Sequence, residues 1–219
     1  VLEAFASREV RRAAASGEHL STLAFSEAGS RSHFWAPVSS ATRTDGQITL
    51  NARKSWVTSA SYASAYVWSS QPVAAGTGFS TLWLVPAGTP GLQVHGSFDG
   101  LGLRGNDSSP VWADDVRVPE SAILGEDGKG FDIMMNAVLP MFNVLSAACS
   151  VGIMESAVQR TAQHVSGVRY AHLGSSLADL PTIRNYVARM RVQTDMVRTL
   201  LDDTILALEA SRPDAMLRV

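Results

Sequence analysis

Two hydrophobic periodicities that one kind of secondary structure cannot satisfy divide this chain. From about Leu20 to Leu124 the apolar residues come in short or alternating runs, rich in Ser, Thr, Val and Trp and punctuated by turn residues, which is the spacing of strands. From Lys129 onward Gly and Pro become sparse. Met134, Val138, Leu145, Ala148 and Ile153 then recur at helical intervals to about Val165, predicting one long helix. Sheet and helix are therefore expected in separate regions.

A third, short region from Val1 to Ala15 reads as helix, closed by Ser16-Gly17. Within the strand region, Ser39–Thr44 and Gln47–Leu50 flank Asp45-Gly46, a pair suited to a tight hairpin turn. Further strands are expected at Tyr66–Ser70, Ser80–Val85, Leu92–His95 and Val111–Val118, a pattern that suits a barrel or a sandwich. A second long helix starts near Pro181, with Asp179 in place to cap it, and carries Ile183, Val187, Met190, Met196, Leu200, Ile205 and Leu208 as an apolar stripe. At 1.5 Å per residue a helix from Thr182 to about Ala210 spans roughly 40 Å. Two such helices leave apolar faces open, so further helices or a partner subunit are expected to cover them.

Hydrophobic residues make up 46% of the 219, enough for a substantial core. Eighteen Lys and Arg against 20 Asp and Glu leave a net charge of −2, which provides no basic surface for nucleic acid. The single cysteine, Cys149, excludes an internal disulfide and a Cys-rich metal site, and fits a reducing compartment; a cytoplasmic location is expected. Arg8, Glu9, Arg11 and Arg12 interrupt the early apolar residues, so neither a signal sequence nor a membrane span is expected. The absence of an initiator Met, and a helical pattern running uncapped to Val219, suggest an excerpt of a longer chain.

Three blocks stand out: Leu23-Ala24-Phe25-Ser26-Glu27-Ala28-Gly29-Ser30-Arg31-Ser32-His33, Asn51-Ala52-Arg53-Lys54-Ser55-Trp56-Val57-Thr58-Ser59, and Gly100-Leu101-Gly102-Leu103-Arg104-Gly105-Asn106. The last is followed by Asp114-Asp115-Val116-Arg117-Val118-Pro119 and Leu124-Gly125-Glu126-Asp127-Gly128-Lys129-Gly130-Phe131. Together, in this order and spacing, they resemble the acyl-CoA dehydrogenase flavoproteins. Ala28, Arg31 and His33 depart from the family's first pattern, and one extra residue precedes Lys54 in the second.

The resemblance implies an α+β multidomain fold: the end of an N-terminal helical domain at 1–19, a flavin-binding β-barrel at 20–127, and an antiparallel helical bundle, incomplete here, at 128–219. It implies FAD as cofactor, Trp56 beside the isoalloxazine ring, and the Thr58 hydroxyl near flavin N5. Ala24, Phe25 and Ser26 would stand at the pyrimidine edge, Val57 beside Thr58 in the same pocket, and Ser32 at the pyrophosphate. Arg169, ahead of His172-Leu173-Gly174, resembles an arginine that reaches the pyrophosphate of a neighbouring subunit. Its spacing to the glycine is one residue longer than usual, and a surface arginine between helices accounts for it equally well.

The implied chemistry is α,β-desaturation of an acyl thioester, linked to CoA or to a carrier protein. Electrons would pass to an electron-transfer flavoprotein or another acceptor, in a homodimer or homotetramer. The stretch Pro140-Met141-Phe142-Asn143-Val144, where some relatives carry the catalytic carboxylate, contains none, and Asn143 stands where an arginine usually meets CoA. A reduced-flavin monooxygenase on the same scaffold, which needs no such base, and a non-catalytic relative are the alternatives. His33 reads as a hydrogen-bonded loop residue, and the other histidines have no ligand spacing. Asp114-Asp115 and Asp202-Asp203 read as solvated charges.

Overall fold

In the computed structural model, which describes residues 1–31, 33–96 and 99–219, the Asp45-Gly46 pair makes the turn its sequence asks for. Both residues have positive φ, 52° and 73°, and they join β2 (Ser40–Thr44) to β3 (Gln47–Val57) in an antiparallel pair. The described residues form two compact units, Val1–Ala137 and Val138–Val219.

The first unit begins with two helices where one was expected, α1 (Leu2–Phe5) and α2 (Arg8–Ser16). The break falls at Ser7, whose hydroxyl accepts the Val10 N–H at 3.3 Å and so starts a new helix as its N-cap. β1 (Ser21–Ala24), β4 (Ala65–Ser70) and β5 (Thr81–Pro86) form one sheet in the order β1-β4-β5, with β1 parallel to β4. A second, antiparallel sheet has the order β2-β3-β7-β6, completed by β6 (Leu92–Val94) and β7 (Ser109–Pro119). Inward residues of both sheets share one core, in which Ile48, Leu50, Val111 and Val116 meet Tyr66, Trp68 and Trp83.

Among the described residues these are two facing open sheets, and the closure expected of a barrel is not shown. Among the described residues, β1 and β3 meet through the isolated bridge Glu27–Lys54 where a barrel would close, and β5 meets the far side through the bridge Trp83–Ile123. Side chains, in place of a continuous ladder, span the gap.

The glycine-rich stretch after β7 packs against the loop before β5. Asp127 accepts the Val73 and Ala74 N–H groups at 3.0 and 2.9 Å and the Thr81 hydroxyl at 2.5 Å. Burial raises its carboxyl, but the Thr81, Ala74 and Val73 hydrogen bonds outweigh that and leave it below the ordinary carboxylate range. Gly128, at φ 81°, approaches so closely that an added Cβ would overlap the Thr77 carbonyl.

The expected long helix begins as α3 (Gly130–Ile133), passes through a π segment at Met134–Val138 and continues as α4 (Leu139–Gly167). Pro140 explains the interruption. It lacks an N–H, and its ring crowds the carbonyl four residues back, that of Asn136, so the preceding turn widens. By length and composition alone, the run Gly130–Gly167 is long and apolar enough to cross a membrane, an 18-residue window of it having a mean hydropathy of 1.8.

In the second unit α4 packs antiparallel to α5 (Pro181–Glu209): residues 143–147 face 197–204, and 162–166 face 183–191. Glu155 ties them by accepting from Arg191 and Arg198 at 2.7 and 2.9 Å. Asp179 does not cap α5. Its carboxylate instead accepts the Ser176 N–H and hydroxyl in a capping box around the short turn before α5. Asp203 is not simply solvated either: with Asp214 it pairs Arg212 and Arg218 and pins α6 (Ala215–Arg218). Met141, Phe142, Leu145 and Ile153 on α4, and Met196, Leu200 and Leu206 on α5, are exposed.

Gly128→Ala should lower the unfolding free energy by about 2 kcal/mol or more, from positive-φ strain plus overlap. Gly46→Ala, with nothing within 4 Å of the added methyl, should cost about 1 kcal/mol. Urea unfolding of the two variants measures the difference, and equal losses would refute the close packing of 125–130.

Candidate functional site

In β3 the side chains alternate, with Ile48, Leu50, Ala52 and Lys54 facing inward. Continued regularly, this would bury Trp56. A bulge between Lys54 and Val57 reverses the order: Trp56 takes φ 60° and is 63% exposed, while Val57 is 1% exposed in the core. A bulky residue at positive φ is uncommon, and such strain collects at functional positions.

The Ala24-Phe25-Ser26 segment lies beside this bulge. The Ser55 N–H donates to the Ser26 carbonyl at 2.9 Å, and Glu27 bridges Lys54. The Ala24 and Phe25 side chains are buried, so only their main chain can meet a ligand; the same holds for Val57. The half-buried Ser26 hydroxyl has no hydrogen-bond partner among the described residues. Thr58 is exposed, and its hydroxyl has only a long contact, 3.5 Å, to that of Ser108.

The loop after β6 holds the turn that follows Thr58. Asn106 and Asp107 carbonyls accept the Ser59 and Ala60 N–H groups at 2.9 and 3.2 Å, and the Asp107 carboxylate accepts the Ser61 N–H at 2.7 Å. An exposed indole flanked by hydroxyls on two adjoining segments is a donor set that fits a flat, polar-edged ring such as a flavin.

Six of the expected residues, Ala24, Phe25, Ser26, Trp56, Val57 and Thr58, are thus brought together in the first unit. Ser32 lies outside the described residues. Arg169 belongs to the second unit, exposed at the start of a small hairpin formed by β8 (Arg169–Tyr170) and β9 (Ser175–Ser176). There its charge joins Arg184 in lowering the Asp179 carboxyl, a shift set chiefly by hydrogen bonds from Ser176. His33 bonds the Ser30 carbonyl through Nδ1 at 3.0 Å, as a loop residue. Asn143 donates to the Val219 carbonyl at 2.8 Å.

Behind the two segments lies a pair to which the sequence reading gave no role. Lys54, 1% exposed, donates to Glu27 Oε1 at 2.5 Å and to the carbonyl and hydroxyl of Ser69 at 2.7 and 2.9 Å, using all three of its protons. The other Glu27 oxygen accepts the Val38 and Ser39 N–H groups at 2.8 and 3.1 Å. The available signal was the inward phase of Lys54, since a charge on the core face of a strand demands a buried partner. Burial pushes the Lys54 ammonium down to about 8, against the opposing pull of Glu27.

The family pattern for the acyl-CoA dehydrogenase middle domain matches residues 22–116, and that for the C-terminal domain matches residues 128–218. The chain belongs to the acyl-CoA dehydrogenase family. Members of this family are FAD-binding oxidoreductases. The human mitochondrial short-chain specific acyl-CoA dehydrogenase is 32% identical over 201 residues, which cover 90% of this chain and 48% of that protein. The cyclohex-1-ene-1-carbonyl-CoA dehydrogenase of Syntrophus aciditrophicus is 30% identical over 193 residues, 87% of this chain and 46% of that one. Among solved structures, butyryl-CoA dehydrogenase from Megasphaera elsdenii shares the fold with a TM-score of 0.91 at 23% identity, covering 99% of this chain and 57% of the other. The chain spans about half the length of the curated relatives it matches.

Removing either member of the buried pair alone should cost about 3–5 kcal/mol, because the other charge is stranded. Unfolding returns Lys54 toward its ordinary 10.5, so between pH 8 and 10.5 the unfolded chain holds the extra proton, and on this group's account stability rises with pH. That slope, read from urea unfolding at a series of pH values, should vanish in the paired Glu27→Gln, Lys54→Met variant.

Proposed function

We propose that this chain carries the flavin site of an FAD-dependent oxidoreductase that desaturates an acyl thioester at the α,β positions. The observation that carries the reading is the bulge that turns Trp56 outward beside the Ser26 hydroxyl, unpartnered among the described residues, and the exposed Thr58 hydroxyl. In this reading Trp56 covers one edge of the ring, Ser26 and the main chain of Ala24 and Phe25 bond its pyrimidine side, and Thr58 donates near N5. Ser32 is assigned to the pyrophosphate of the flavin held by its own chain and Arg169 to that of a neighbouring subunit, with the guanidinium suited to paired phosphate oxygens. When bound, the flavin supplies the two-electron acceptor for the β-hydrogen of the substrate.

Residues 20–127 then form the flavin-binding domain and 128–219 the start of a helical bundle, after the end of a helical domain at 1–19. The apolar faces of α4 and α5 support covering by further helices or by a second copy in a homodimer or homotetramer, which also accounts for the hydropathy of Gly130–Gly167 without a membrane. A cytoplasmic location accords with the single Cys149. An electron-transfer flavoprotein or a similar acceptor completes the turnover.

Asn143, where an arginine meets CoA in relatives, favours a second reading: a carrier-protein thioester, or oxygen chemistry on reduced flavin. A neutral amide cannot replace the lost charge. Anaerobic mixing with acyl-CoA should bleach the flavin absorption of the purified protein. No bleaching, together with rapid oxidation of the pre-reduced protein by oxygen and hydroxylation of substrate, would select the monooxygenase.

Trp56→Ala should weaken FAD retention about tenfold or more, the equivalent of about 1.4 kcal/mol. Thr58→Val should slow flavin reduction while leaving the urea midpoint unchanged. Unaltered cofactor content and reduction rate in both variants would refute the assigned pocket.

A further inference from the structure

We propose that Glu27 and Lys54 are positioning residues for the flavin, their buried ion pair setting the register and separation of the two segments that carry Ser26, Trp56 and Thr58. The inference rests on the flavin reading above and adds the device that aligns its residues. Glu27 directly follows Ser26, and Lys54 stands two residues before Trp56. The segments meet there through one isolated bridge, which offers little resistance to slippage. The pair supplies what the missing ladder does not. Glu27 binds the N–H groups of Val38 and Ser39, Lys54 binds Ser69 and lies over the Trp68 ring at 5.2 Å, and the Ser39 hydroxyl donates to the Ser69 carbonyl at 3.0 Å, so both ends of the pair are tied into one buried network.

The anchors also locate the bulge. With Lys54 and Val57 both fixed inward, Ser55 and Trp56 oppose the one residue Pro110, and the one surplus residue must loop out. A slip of one residue would exchange the faces and carry the indole toward the core. Apolar residues of similar volume usually match a buried ion pair in stability, so specificity of register is the contribution peculiar to the charges.

The test uses purified wild-type protein, the paired Glu27→Gln, Lys54→Met variant, and Glu27→Asp, which keeps the charge. Three quantities are measured: FAD dissociation constant by titration of the apoprotein, visible circular dichroism of the bound flavin, and urea midpoint. The paired variant should keep the wild-type midpoint yet bind FAD at least about tenfold more weakly, with an altered flavin dichroism. Glu27→Asp should retain the wild-type dichroism. A paired variant with wild-type stability, affinity and dichroism overturns the positioning role and leaves the flavin reading standing. Stability falling in step with affinity also overturns it, since the pair would then hold the fold and not the register. Wild-type protein that takes up no FAD defeats the flavin reading itself, and this inference with it.

Discussion

A desolvated ion pair spans the first unit where its hydrogen-bonded ladders stop. Glu27 and Lys54 meet in the gap between β1 and β3, with every Lys54 proton donated and both Glu27 oxygens in use. Burying two charges is tolerable only with such full satisfaction, because the attraction must offset the loss of water. The open topology and the pair therefore belong together: two sheets that do not close leave a seam, and side-chain chemistry fills it.

The seam is also where the family's signature segments converge. Conserving the inward phase at Lys54 and again at Val57 forces the intervening bulge, and the bulge presents Trp56. Around it, polar groups from the loop after β6 hold the turn beyond Thr58. Strain at Trp56 is thus supported from both sides, which is how an unfavourable backbone angle persists in a folded protein.

Much of the local structure was legible in advance. The Asp45-Gly46 turn, the strands around Tyr66–Ser70 and Val111–Val118, and the two long helices follow from turn chemistry and period, because these depend on neighbours in sequence. Other features escaped for identifiable reasons. Ser7 divided the first helix by competing for a backbone N–H; Pro140 widened a turn that periodicity showed as regular helix; Asp179 found Ser176 nearer than the helix it was expected to cap. Sheet closure depends on pairing between distant strands, and strand spacing carries no information about that.

What the sequence determined by itself is the division into strands and helices and the family to which its motifs point. Tertiary structure alone decided that the sheets stay open, that Trp56 faces outward and Val57 inward, and that Lys54 finds Glu27 across 27 residues of chain. The physical reason is range: turns, caps and periodicity are written in adjacent residues, whereas a bulge's direction and a buried charge's partner are settled only when separate segments compete for the same interior space.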